Sequence, residues 1–218
     1  MRSMADPAAV KGMARYGIAT DKALGLSVPK VRSVARRLGR DHALATGLWR
    51  TGIHEARILA AMVDEPAKVT ERQMEAWVSD FDSWDICDGC CGSLFDKTPF
   101  AYSKAMEWSR RKEEFVRRAG YAMMAELAVH DKKAKDEAFM PFFERIEAGS
   151  TDPRNFVKKA VNWALRQIGK RSLRLNREAM KVAKRMSKKK EARARWVALD
   201  ALRELSSDAV QKKLRSSS

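Results

Sequence analysis

The chain has 218 residues, 45% of them apolar, which suits one globular domain with a real core. Its 44 lysines and arginines against 28 acidic residues give a formal net charge of +16, so a polyanion is the leading partner. No stretch is long and apolar enough to span a membrane as a helix, and Met1-Arg2-Ser3-Met4 leads into no hydrophobic signal core. The expectation is a cytoplasmic protein, associated with the nucleoid in a prokaryote.

Taken in chain order, the predicted elements are helices. Gly and Pro are sparse, and no run alternates β-branched residues. Ser27-Val28-Pro29 places a cap before an early Pro, ahead of a helix through Val34 and Leu38. Asp41 caps a helix carrying Leu44, Leu48 and Trp49. Thr70 followed by Gln73 resembles a capping box. Asp82 or Ser83 starts the next helix, and Asp152-Pro153 opens a long one ending at Gly169. Beyond Lys188 the chain continues helically, with Trp196, Val197, Leu199, Leu202 and Leu205 as its apolar face. A single domain is expected over 1–215, with a disordered tail at 216–218. The helices pair about every 35 to 40 residues, the spacing of HEAT-like repeats. The expected fold is therefore all-α, an α-α superhelix of HEAT-like repeats forming a curved solenoid, whose concave side suits duplex DNA.

The charge is uneven. From Arg154 onward there are 20 basic and 5 acidic residues, and the first 153 residues are nearly neutral. Arg174, Arg177, Lys181, Lys184 and Lys188 recur every three or four residues, so they line one face of a helix backed by Ala179, Met180, Ala183 and Met186. Lys158, Lys159, Arg166 and Lys170 extend the patch from the helix before. Phosphate contact with counterion release is its natural use, set against the plainer alternative of a solvated lysine-rich face. A membrane-surface role is disfavoured, because the apolar side is rich in Ala and Met and lacks large interfacial aromatics.

Asp82-Ser83-Trp84-Asp85-Ile86-Cys87-Asp88-Gly89 is the most unusual segment. In a helix, Trp84 and Asp88 lie one turn apart on one face, an aromatic beside a carboxylate, able to stabilise positive charge. The local alternative is a core Trp with aspartates capping a helix start. Cys87, Cys90 and Cys91 are an odd, clustered set. They suit small buried side chains better than disulfides or zinc, since the histidines (His42, His54, His130) lie far away in sequence. No metal and no cofactor are expected.

Met13-Ala14-Arg15-Tyr16, Leu48-Trp49, His54-Glu55-Ala56-Arg57, Ser83 to Asp88, Val116-Arg117-Arg118-Ala119, Phe156 to Ala160 and Trp163-Ala164-Leu165-Arg166 form an ordered set spanning nearly the whole chain. Together they resemble the AlkD family of DNA alkylation repair glycosylases. The resemblance implies hydrolysis of the N-glycosidic bond of cationic N3- or N7-alkylated purines in duplex DNA, by a monomer. It implies Asp88 as the catalytic aspartate, Trp84 and Trp163 as the tryptophans against the lesion's deoxyribose, Arg118 as the arginine beside the aspartate, and Tyr16 as a tyrosine near the DNA. It also implies contact with the sugar from the backbone side, without a deep base pocket. Ser83 and Asn155 depart from the family pattern, which has a second Trp and a second Phe there, and the N-terminal lead is shorter. The rival class is a non-catalytic HEAT-like scaffold that binds nucleic acid or protein.

Overall fold

The structure is a computed structural model, and it describes residues 2–216. Among the described residues there are thirteen α-helices, five short 3-10 turns and no strand. The helices are α1 Pro7–Met13, α2 Val28–Leu38, α3 His42–Arg50, α4 His54–Val63, α5 Glu71–Ser79 and α6 Trp84–Ser93, then α7 Ala101–Trp108, α8 Glu114–His130, α9 Met140–Gly149, α10 Asn155–Gly169, α11 Leu173–Ser187, α12 Ala192–Leu205 and α13 Asp208–Ser216. The chain forms two compact units, one ending at Phe100 and one beginning at Ala101. Of the tail expected at 216–218, Ser216 closes α13, and 217 and 218 lie outside the described residues.

In the first unit α2, α4 and α6 pack in one row, with α3 against α4 behind it. α3 is tied to α5 by Trp49 and Trp77, whose rings stack at 4.0 Å and 3°. α4 is the core element: Ala56, Ile58, Leu59, Ala60, Ala61 and Val63 are all buried. The polar residues at its start hold loops. Glu55 is buried, and its carboxylate accepts the amides of Leu24 at 2.8 Å, Gly25 at 2.7 Å and Leu26 at 3.0 Å. Gly25 has φ +77, and a Cβ there would stand 2.1 Å from the Asp6 carbonyl oxygen. A side chain is excluded at that turn by backbone strain and by space.

The second unit repeats the plan. α8, α10 and α12 form one row, and α7, α9 and α11 a second layer behind them. This is the paired-helix stacking of HEAT-like repeats. α7 meets α8 at Gly120, where a Cβ would lie 2.3 Å from the Ser109 backbone nitrogen. α10 buries Val157, Ala160, Val161, Ala164, Leu165 and Ile168.

The caps follow local chemistry where nothing competes. Asp41 accepts Leu44 N–H at 2.9 Å, and Thr70 accepts Gln73 N–H at 3.1 Å. Ser83 is the N-cap of α6 by position, but its hydroxyl donates to Asp85 instead. The long helix starts at Asn155, later than Asp152-Pro153 implies. Asp152 is taken by Arg154, whose N–H it accepts at 3.0 Å, and by Arg117 at 3.2 Å. The apolar face of α12 also differs from expectation. It is Ala194, Val197, Ala198, Ala201 and Leu205, while Trp196 and Leu199 remain 44% and 61% exposed.

Candidate functional site

α6 begins one residue after an extended Ser83, at φ −151 and ψ 157. The buried Ser83 hydroxyl donates to Asp85 Oδ1 at 2.8 Å, and Ile86 N–H donates to the same oxygen at 3.0 Å. Asp85 Oδ2 meets His54 Nε2, from the first turn of α4, at 2.8 Å. Burial pushes the Asp85 carboxyl up, but the His54 imidazole, with help from Ser83 and the Ile86 amide, outweighs it and holds it below the usual carboxylate range.

With Asp85 turned toward α4, helical periodicity puts Trp84 and Asp88 together on another face, both half-buried. The Trp84 indole donates to the Tyr16 carbonyl at 2.9 Å. The Tyr16 ring itself is 70% exposed, on a 3-10 turn that closes at Gly17 with φ 70. The structure thus brings together two residues that lie 68 positions apart in the chain, Tyr16 and Trp84, with Asp88 one helical turn beyond Trp84. Cys87, Cys90 and Cys91 are buried, and burial pushes the Cys90 and Cys91 thiols well up.

Sequence reasoning missed what His54-Glu55-Ala56-Arg57 does. His54 sets the start of α6, and Glu55 closes the loop before α2. Arg57 spans the turn between α5 and α6, donating to the Asp80 carbonyl at 2.9 Å, pairing with Asp82 at 3.6 Å and stacking over Trp49 at 5.2 Å. The available signal was three polar residues opening an otherwise apolar helix.

In the second unit Arg118 is 6% exposed, and its guanidinium donates to the Phe156 carbonyl at 2.5 Å. It therefore fixes the first turn of α10. Its neighbour Arg117 is half-buried and pairs with the buried Asp152. Trp163 is half-buried on α10, on a stripe with Lys159, Arg166 and Lys170 at helical spacing. Lys159 is exposed on that stripe. Lys158 sits 4.5 Å from the Trp196 ring centroid. Arg166 pairs with Asp200 at 3.2 Å and Glu204 at 3.0 Å, and Lys170 with Glu204 at 2.7 Å.

The cations read from sequence as one patch are two. Arg174, Arg177, Lys181, Lys184 and Lys188 are exposed on and just after α11, which belongs to the layer behind α10, whereas Trp163 is on α10 itself. Arg174 pairs with Glu137, and Lys181 with Glu178 at 2.8 Å. Arg177, Lys184 and Lys188 meet no carboxylate among the described residues.

The paired helices define the class, a helical-repeat protein, with a half-buried aromatic-carboxylate pair on α6 in the first unit and an exposed Lys159 one turn from Trp163 on α10 in the second. The sequence profile of the DNA alkylation repair enzymes matches residues 1–205, and the chain belongs to that family. A solved structure is similar in fold, with a TM-score of 0.74 and 18% identity, covering 99% of this chain and 91% of that one. It is described as a new family of proteins related to the HEAT-like repeat DNA glycosylases with affinity for branched DNA structures. No curated protein sequence matches the chain. Among the described residues, no helix is long and apolar enough to cross a membrane.

Proposed function

We propose that this protein is a DNA glycosylase that removes N3- or N7-alkylated purines from duplex DNA, acting as a monomer. The observation that carries the reading is the half-buried Asp88 one turn from the half-buried Trp84 on α6, in a chain of the DNA alkylation repair family. Alkylation puts positive charge on the base and weakens the glycosidic bond, so the leaving group needs little acid help. The enzyme's task is to stabilise an oxocarbenium-like sugar. In this reading Asp88 supplies the negative charge, or positions and deprotonates the attacking water. Trp84 and Trp163 offer aromatic faces to the cationic sugar. Arg118 acts as a positioning residue through the first turn of α10.

The reading assigns duplex contact to Tyr16 and to the stripe of Lys159, Arg166 and Lys170, with Lys158 beside it. The α11 stripe, on the opposite layer, adds long-range attraction only. The direct test is base release: methylated duplex should yield free 7-methylguanine or 3-methyladenine, and unmodified duplex no base. No release from any alkylated duplex would leave the second reading, non-catalytic binding of DNA. That reading is favoured by the branched-DNA affinity attributed to the structural relative. It expects tighter binding of a four-way junction than of a linear duplex of equal length.

A further inference from the structure

A cleft of about 410 Å³ opens where the C-terminal ends of α2, α4 and α6 come together. Four of its lining residues are cations, Arg32, Arg36, Arg40 and Lys97, set around Met62 and Ser93, and no carboxylate lines it. Two of the four are anchored. Arg40 donates to the Asp64 carbonyl at 2.5 Å, and Lys97 to the Gly92 carbonyl at 2.6 Å and to Asp96 at 2.7 Å. These are cations on helix-end carbonyls, an arrangement the helix dipole favours without any ligand.

Arg32 and Arg36 are different. They are exposed one turn apart on α2, and neither meets a carboxylate among the described residues. Like charges at that spacing destabilise a helix, and α2 carries Lys30, Arg32, Arg36 and Arg37 with no acidic residue. Arg32 is too far from the helix end for the dipole to account for it. Uncompensated guanidiniums converging on a concave surface are the chemistry that recognises a phosphate.

We propose that this cleft binds a phosphate of the DNA backbone. The proposal rests on the duplex-binding reading above and deepens it. α6 carries the half-buried Asp88 and, five residues on, Ser93 at the cleft. Five residues of helix rise are about 7.5 Å, which is about two base steps of duplex. The cleft would therefore grip the strand close to the nucleotide presented to Asp88 and fix its register, as backbone contacts do.

The test uses the full chain and its Arg32→Gln/Arg36→Gln variant, glutamine being a good helix former. Affinity for a linear duplex is measured from 50 to 200 mM salt, and melting temperature with and without inorganic phosphate. Loss of the cleft's one phosphate contact should flatten the log-log salt slope by about one, or roughly 6-fold weaker binding at 0.15 M salt. Arg32→Lys/Arg36→Lys should restore most of the slope. A Gln variant with the wild-type slope overturns the proposal and leaves the duplex-binding reading standing. Stabilisation by inorganic phosphate that the Gln variant loses, with duplex affinity unchanged, assigns the cleft to free phosphate and overturns the DNA assignment. A wild-type protein that binds no duplex overturns both readings.

Discussion

At Asp85 two effects act on one carboxylate. Burial disfavours its charge, and the His54 ring, the Ser83 hydroxyl and the Ile86 amide favour it more, so its pKa lies below the ordinary value. A depressed pKa means that the charged form stabilises the fold above the unfolded-state pKa, and that this contribution is lost as pH falls through the folded-state value. Asp85→Asn should therefore cost about 1.5–3 kcal/mol near neutral pH. The deficit should shrink toward zero as pH falls below the usual carboxylate range. Urea unfolding of both proteins at pH 7 and at pH 3 checks this, and an equal deficit at both would mean that the charge is not what holds α6. His54 and Asp85 were hard to see in sequence because each is an ordinary polar residue 31 positions from the other. Trp84 and Asp88 were legible because a single helical turn relates them.

The helices owe their packing to small residues at close approaches as much as to large apolar ones. Gly120 on α8 lies against the Ser109 backbone, where a Cβ would sit 2.3 Å from nitrogen, so backbone and not a flexible side chain would have to move. Gly120→Ala should destabilise the protein by about 1–3 kcal/mol or more, despite alanine's better helix propensity. A thermal midpoint at or above wild type would contradict that packing. Element starts were readable where capping chemistry is local, as at Asp41 and Thr70. They were misread at Asp152, because Arg154 two residues on, by its amide and guanidinium, and Arg117 on α8 both take the same carboxylate. The face of α12 was misread for a related reason. Its inward side is built mainly of alanines, so the larger Trp196 and Leu199 drew attention while standing outside.

Across the whole molecule the charge is +16, and its arrangement matters more than its sum. The sequence shows the basic C-terminal third but not that its cations divide between two layers of the second unit. Nor does it show the four cations around the α2, α4 and α6 cleft, which are scattered from 32 to 97 in a stretch whose charges nearly cancel. If the row carrying Trp163 meets the duplex, Lys159→Ala should flatten the salt slope by about one. Arg177→Ala/Lys184→Ala should leave that slope near wild type, and fluorescence-anisotropy titrations at several salt concentrations separate the two. The reverse pattern would move the interface to α11.

The claim on which the functional account turns is that Asp88 acts in the chemistry. Single-turnover release of 7-methylguanine from methylated duplex, compared between wild type and Asp88→Asn at saturating protein, measures it most directly. The account predicts release by the wild type and roughly 10²- to 10³-fold slower release by the variant, with duplex affinity retained. Equal rates in the two proteins would contradict it.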